Sequence, residues 1–240
     1  MSSKGDSCTE CFKKSQCLAE KILLSGKSYL GGEIINNIIY RPGDYIYRQG
    51  EVCKHLFVIK TGAVKSQIGS IDGIDQIIGF HFSTEVLGFD GLDCNKYVSS
   101  VIVLENSIVC AFPRQLVEMF CAVSPDFQRD LIARLSREIT HEHQFLMLIN
   151  KNTAEQRVAL FLLDLSIRLG GREVVKIDII LCMSRADIAN YLGLVPETIS
   201  RILSRFELKG VIAVRKKKLK IINMKMLNEY SHRHCCYEIA

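Results

Sequence analysis

The chain has 240 residues, enough for two ordinary domains that each have a core of their own. Hydrophobic residues make up 48% of it, which excludes a disordered chain, and no apolar run reaches the roughly 18 residues that span a bilayer. The net charge of +5 is uneven, with 16 Lys/Arg against 9 Asp/Glu in residues 151–240 but 15 against 17 in residues 1–150. The basic second part points to a polyanionic partner.

Three of the ten cysteines lie close together near the amino terminus. Cys8, Cys11 and Cys17 form a C-x2-C-x5-C array within residues 1–20. The first seven residues are polar and carry no hydrophobic signal region, so we expect a reducing cytosol rather than a disulfide framework. Thiolates at this spacing can converge on one iron or zinc centre. Three ligands leave a fourth position, which a cysteine from elsewhere in the chain must fill.

The next part of the chain is predicted to be rich in β-structure. Residues 21–40 are predicted to hold a short helix and a loop. From residue 40 to 113, short β-rich segments alternate with turn residues such as those of Pro42-Gly43-Asp44. These segments are 45–47, 56–59, 76–80, 98–103 and 108–112. Strands at that spacing predict a sandwich or barrel.

A long helix is predicted from Ser124-Pro125 towards Ile149, because serine caps a helix and proline suits its first position. An apolar stripe runs along one face at three- and four-residue steps. It can pair with a copy of itself across a two-fold axis, or pack on the chain's own β domain. Glu142 favours the dimer, since a carboxylate on an apolar seam is costly and often sets the association state. The predicted seam consists of Leu131, Leu135, Ile139, Glu142 and Leu146. A second helix, with a capping-box start at residues 152–155, is predicted to end at Gly170-Gly171.

A helix-turn-helix is predicted towards the end of the chain. Ser184 caps one helix, Gly193 breaks it, and Pro196 opens another that runs to about Leu208. A small Ala189 where the helices cross completes the pattern.

The second of these helices carries the residues that are expected to read DNA. Glu197, Ser200 and Arg201 lie within one turn of it and are predicted to face outward. Glutamate can accept from cytosine N4 and arginine can donate twice to guanine, so the pair can read a G·C step. Strands at 211–214 and 219–222 flank a basic hairpin tip, where Lys216 and Lys217 are expected to contact phosphate.

Residues 187–201, DIANYLGLVPETISR, resemble the recognition region of the CRP/FNR family of bacterial transcription regulators. Arg41-Pro-Gly-Asp44, Gly50-Glu51 and Lys60-Thr-Gly62 are similar to the sensor domain of that family. The resemblance covers nearly the whole chain and implies an α+β fold. The implied order is a cysteine arm (1–20), a jelly-roll, cyclic-nucleotide-binding-like β-roll sensor domain (21–123), a dimerisation helix (124–150) and a winged helix-turn-helix (151–240).

The cysteine arm is similar to that of the oxygen-responsive members of the family, which implies a [4Fe-4S] cluster that oxygen degrades. Cys8, Cys11 and Cys17 match three of its ligands. The fourth, at the end of a late strand before a proline-containing loop, corresponds to Cys110, and Cys53 and Cys121 compete with it by composition only. Cys110 is also expected just before the long helix.

The resemblance further implies a cytoplasmic homodimer that binds double-stranded DNA of the type TTGAT-N4-ATCAA under anaerobic conditions and works with RNA polymerase. Such a regulator controls anaerobic respiration genes, and cluster loss in oxygen favours an inactive monomer. The alternative is a CRP-type regulator of a small-molecule or cyclic-nucleotide effector, with a structural metal on the cysteines. Residues 93–100 lack the Arg-Ser pair with which that family holds a cyclic phosphate. The sequence contains no convergent catalytic constellation, so we do not expect an enzyme.

Overall fold

The computed structural model describes residues 17–18, 35–69, 73, 75–170 and 177–231. Cys8, Cys11 and most of the predicted helix and loop at 21–40 lie outside these residues. The chain divides into two units, Met1–Thr140 and His141–Ala240, and each is described by itself. Among the helices described, none combines the length and apolar content needed to cross a bilayer.

Two antiparallel sheets form the first unit. One has the order β1-β8-β3-β6 and the other β2-β7-β4-β5. Their apolar side chains meet in one core, to which Phe57 and Val109 contribute from the first sheet and Tyr47 and Val101 from the second. The predicted sandwich is therefore confirmed. The strands are β1 (Ile35–Tyr40), β2 (Tyr45–Tyr47), β3 (His55–Thr61), β4 (Ala63–Gly69), β5 (Asp75–Phe82), β6 (Val86–Leu87), β7 (Ser100–Val103) and β8 (Ser107–Pro113).

Strand β1 corrects the prediction of a loop before residue 40. It pairs with β8, and its register shifts between Ile35 and Ile38. Asn37 lies at this irregularity with φ 55°, a left-handed conformation that asparagine adopts more easily than most residues. The irregularity breaks the alternation of apolar residues by which a strand is recognised in a sequence.

Two helices follow the sheets, α1 (Arg114–Val123) and α2 (Pro125–Lys151). The second begins at the predicted proline, whereas the first was not predicted. Helix α1 buries Leu116, Val117 and Phe120 in a second apolar cluster, which also contains Leu131 of α2. Leu131 is only 7% exposed. Most of this side chain is therefore packed inside its own unit, and its place in a dimer seam stays a prediction.

The second unit is a winged helix-turn-helix. Its helices are α3 (Ala154–Gly170), α4 (Arg185–Leu192), α5 (Pro196–Leu208) and α6 (Met224–Ser231), and its strands are β9 (Asp178–Ile180), β10 (Ile212–Arg215) and β11 (Lys218–Ile221). The strands form an antiparallel sheet of order β10-β11-β9. Helix α3 begins with a capping box, in which Thr153 N donates to Gln156 Oε1 at 2.7 Å and Gln156 N donates to Thr153 Oγ1 at 3.4 Å. Strand β9 and helix α6 were not predicted.

Candidate metal centre and nucleic-acid interface

Cys110 lies in the middle of β8, opposite Val58 of β3. The sequence predicted it at the end of the strand, but the pairing of β8 with β3 continues to Pro113, which lies opposite His55. Pro113, with φ −53°, is also the N-cap residue of α1. Cys110 is therefore followed by three more strand residues and a ten-residue helix before α2 begins, and neither the expected loop nor the direct approach to the long helix is found.

Cys17 and Cys110 border the same apolar cluster although 93 positions separate them in the sequence. Leu18, which is fully buried, and Cys110, which is 9% exposed, belong to this cluster, and Cys17 packs against it. Phe127, from the first turn of α2, lies in it as well. Two of the four predicted thiol ligands thus border an apolar cluster that includes the first turn of the long helix. The other members of the cluster are Leu56, Val58, Val86, Phe112, Leu116, Val117, Phe120 and Leu131.

The two competing cysteines differ in their positions. Cys53 is 1% exposed and lies in the core between the sheets, away from this cluster, whereas Cys121 packs against the cluster itself. Burial raises the pKa of both thiols, and the nearby Glu118 carboxylate raises that of Cys121 further. Metals bind the thiolate, so a raised pKa makes both residues poorer ligands.

The donors present fit an iron–sulfur or zinc group in their chemistry, because both are held by cysteine thiolates. Within the part of the chain that the structure describes, no three His, Cys, Asp or Glu side chains gather as a metal site. Cys8 and Cys11, which complete the predicted set, lie outside that part.

The helix-turn-helix is shaped by local capping chemistry. Ser184 N donates to Asp187 Oδ2 at 2.9 Å, and Asp187 N donates to Ser184 Oγ at 3.0 Å, which completes a capping box. Gly193 ends α4 with φ 63°, a left-handed conformation that glycine adopts without a steric penalty. Pro196 then opens α5, whose buried residues include Ile199 and Phe206.

The predicted base-reading residues lie on the exposed side of α5. Glu197, Ser200 and Arg201 are all exposed, while the neighbouring Ile199 and Ile202 are buried. Ser200 Oγ donates to Pro196 O at 3.0 Å, so the hydroxyl keeps lone pairs for an outside donor. Glu197 is in the first turn, where the helix dipole favours an acidic side chain.

Lys216 and Lys217 form the tip of the β10–β11 hairpin, where Arg215 pairs with Lys218. All four side chains are exposed. The tip is therefore a compact basic surface at the end of the hairpin.

An exposed apolar stripe runs along α2 with a seven-residue period. Ile132, Ile139 and Leu146 form it, and each is more than half exposed. Of the remaining residues predicted for the seam, Glu142 is exposed and Leu135 is partly buried. The stripe thus contains Ile139 and Leu146 of the predicted seam, together with Ile132, the neighbour of Leu131.

Several contacts within the second unit were not foreseen from the sequence. The ring of Phe145 on α2 stacks on Tyr191 of α4, with centroids 4.4 Å apart and planes at 19°. Asp164 of α3 lies 3.7 Å from His141 Nε2 and accepts from Arg168 Nη1 at 3.2 Å. Burial alone would raise the pKa of Asp164, but the hydrogen bonds and charges of His141 and Arg168 outweigh it and hold that pKa below its usual value. Both contacts fasten the last turns of α2 to the helices that follow.

Two family models match the chain: a cyclic nucleotide-binding domain over residues 38–124 and a Crp-like helix-turn-helix domain over residues 156–230. Electron transport regulator A of Shewanella oneidensis is 33% identical over 92% of this chain and 88% of its own length. The fumarate nitrate reduction regulatory protein of Klebsiella oxytoca is 34% identical over 80% of this chain and 79% of its own. The structure of FixK2 from Bradyrhizobium japonicum superimposes with a TM-score of 0.75 at 28% identity, over 82% of this chain and 97% of that one. The resemblance predicted from the recognition region is thereby confirmed, and the chain belongs to the CRP/FNR family of transcription regulators.

Proposed function

We propose that this chain is an oxygen-responsive homodimeric regulator of anaerobic respiration genes that holds a [4Fe-4S] cluster and acts in the cytoplasm. In this proposal residues 1–20 are the cluster arm, 21–123 the sensor domain, 124–150 the dimerisation helix and 151–240 the DNA-binding domain. The names of the relatives, which refer to electron transport and to fumarate and nitrate reduction, support the physiological part. The observation that carries the proposal is the apolar cluster shared by Cys17, Cys110 and the start of α2.

The proposed ligands are Cys8, Cys11, Cys17 and Cys110. When bound, the cluster supplies an iron–sulfur centre that reacts with oxygen. The chain supplies four thiols and, around two of them, a dry surface that includes Leu18 and Phe112. Such a surface limits access of solvent to the site.

The proposed switch acts through the packing around Cys17 and Cys110. Any change in how these residues pack reaches Phe127 and Leu131 directly, since all four border one cluster. Because protein interiors are close-packed, such a change moves whole helices or strands and is not absorbed by small side-chain adjustments. Glu142 on the exposed side of α2 makes pairing of two copies nearly balanced, and a few kcal/mol then shift the population between monomer and dimer.

In the dimer, each α5 reads one half-site of a TTGAT-N4-ATCAA palindrome. Glu197 and Arg201 are proposed to read the G·C step, with Ser200 beside them, and Lys216 and Lys217 to contact phosphates. Their shared exposure on α5 and on the wing tip supports this division of roles. RNA polymerase is the proposed protein partner of the DNA-bound dimer.

The match to a cyclic nucleotide-binding domain favours a second candidate, a regulator of a cyclic-nucleotide or other small effector with a structural metal on the cysteines. The contacts of residues 93–100 oppose it. Asp90 Oδ2 accepts from Val98 N at 3.1 Å, from Ser99 N at 2.8 Å and from Ser99 Oγ at 2.7 Å. These donors, which could hold a phosphate, are already bonded to the carboxylate of Asp90.

Anaerobic purification followed by iron, sulfide and zinc analysis and an absorption spectrum tests the proposal. We expect a straw-brown protein that bleaches in air, and complete loss of iron and sulfide in Cys8→Ser, Cys11→Ser, Cys17→Ser and Cys110→Ser. Cys121→Ser is the sharpest control because it alters a thiol at the same cluster, and Cys53→Ser alters one in the other core. Both should keep full iron and sulfide. A colourless protein with tightly bound zinc would instead support the structural metal, and full iron in Cys110→Ser would remove that residue from the site.

A further inference from the structure

The guanidinium of Arg157, in the first turn of α3, joins two backbone segments that are far apart in the sequence. Its Nε donates to Asn152 O at 3.0 Å, and its Nη1 donates to Leu192 O at 3.0 Å. Asn152 lies between the end of α2 and the start of α3, whereas Leu192 is the last residue of α4. One planar group thus connects the end of the long helix to the turn of the helix-turn-helix.

Leu192 O needs such a partner, since the last carbonyls of a helix have no donor within the helix itself. A cation at that place is further favoured by the helix dipole. The guanidinium also lies next to Gly193, since a Cβ added to that glycine would be in ordinary van der Waals contact with Arg157 Nη1, at 3.5 Å. Lysine carries the same charge on a single nitrogen and cannot reproduce two bonds that start from different nitrogens of a rigid plane.

Only Gly193, Leu194 and Val195 separate Leu192 from the start of α5. This turn is itself fixed, as Leu194 N donates to Ala189 O at 2.9 Å and Thr198 N donates to Val195 O at 3.0 Å. The position of Leu192 relative to Asn152 therefore sets where α5 begins relative to the end of α2. A second link is the ion pair between Arg205 of α5 and Glu155 of α3.

We propose that Arg157 is a positioning residue for DNA reading, which fixes the direction of the recognition helix α5 relative to the end of α2 through Asn152 O and Leu192 O. A dimer has to present two recognition helices at the separation of two half-sites. Loss of the bridge should therefore weaken the choice of half-site spacing, while the base preference within each half-site, which belongs to α5, remains. The inference rests on the proposed reading of a palindrome by a dimer.

The test compares Arg157→Lys and Arg157→Gln with the parent and with Arg114→Lys. The control makes the same chemical change on α1, where Arg114 bonds Glu118 and Asn95 within the first unit. The DNA is the palindrome that the anaerobic parent selects from random sequence, so the test does not depend on TTGAT. Affinity is measured on this site and on versions with one base pair inserted or deleted between the half-sites.

Losing one of two charge-assisted bonds should reduce affinity for the selected spacing about tenfold in Arg157→Lys, and the preference over the shifted spacings should shrink with it. Arg157→Gln should behave alike, and Arg114→Lys like the parent. An equal loss on all three spacings would overturn the inference, as Arg157 would then support only the fold. A loss confined to Arg157→Gln would also overturn it, because charge rather than the bridge would be responsible. If the parent selects no palindrome, the proposed function itself is refuted. If the parent prefers one half-site spacing and the Arg157 variants show the same preference and affinity, only the role of Arg157 is refuted.

Discussion

Replacing Ile139 by alanine should weaken the dimer that we propose to form along α2. Ile139 is 53% exposed and occupies the middle of the stripe, seven residues from Ile132 and from Leu146. An isoleucine at this position has no evident use within its own unit, but in a parallel pair of helices it would meet its own copy. The substitution removes apolar area from the seam and leaves the charge of the helix unchanged.

The size of the effect follows from the area that remains to be buried. Fully burying an isoleucine side chain stabilises by about 1.5–3 kcal/mol, and roughly half of that remains available in Ile139. A dimer contains two copies, so Ile139→Ala should cost about 2 kcal/mol of association free energy, or about thirtyfold in Kd. Glu142→Ala should act in the opposite direction in air, because it removes two carboxylates that repel each other and lose water on pairing.

Sedimentation equilibrium of parent and variants, in air and without oxygen, measures these changes. Met119→Ala is the matched control, since Met119 is 41% exposed but lies on α1 rather than on the stripe. If Ile139→Ala sediments like the parent, or if Met119→Ala loses as much affinity, the stripe is not the seam. Equal profiles of parent and Glu142→Ala under oxygen would refute the role of the carboxylates.

Two further predictions concern the second unit. Arg201→Ala should cost about 1–3 kcal/mol of binding free energy per half-site and reduce discrimination at the guanine. Lys216→Ala or Lys217→Ala should instead weaken binding to all DNA sequences alike and lower the slope of log affinity against log salt concentration by about one. Binding titrations at two salt concentrations measure both effects. If a lysine variant alone loses base preference, the wing rather than α5 is the reader. Because the pKa of Asp164 is depressed in the fold, its contribution to stability is present above its ordinary value of about 3.9 and is lost as pH falls through the lower folded value. Asp164→Asn should therefore unfold at lower temperature than the parent near pH 7, with a smaller gap near pH 3, and a gap that stays constant would contradict this reasoning.

Local chemistry explains which elements could be predicted from the sequence. The capping serine at 184, the left-handed Gly193 and the first-position Pro196 mark the ends of α4 and α5, and each acts on its immediate neighbours. Helix α1 carries no such signal, because its N-cap residue Pro113 offers no side-chain hydrogen bond. Strand β1 could not be predicted either, because the irregular register at Ile35–Ile38 interrupts the alternation of apolar residues.

The candidate sites depend on contacts that no local pattern encodes. The proximity of Cys17 and Cys110 to one cluster joins residues that are 93 positions apart, and only the family resemblance pointed to it. The partner of Arg157 at Leu192 is 35 residues away, so its role could not be foreseen. The burial of Leu131 could not be foreseen either, because a helical stripe shows which residues share a face, but not whether that face meets its own domain or a second copy.

The wing tip contains a lysine in a backbone conformation that suits glycine better. Lys216 has φ 57°, in the left-handed region that glycine usually occupies, as Gly210 does with φ 70°. For most side chains this conformation costs about 1–2 kcal/mol, which Lys216→Gly would relieve. A glycine at position 216 would thus relieve this strain, but would remove one of the four exposed positive charges of residues 215–218. In the phosphate contact that we propose for the wing tip, the charge of Lys216 is thus kept at the expense of some hairpin stability.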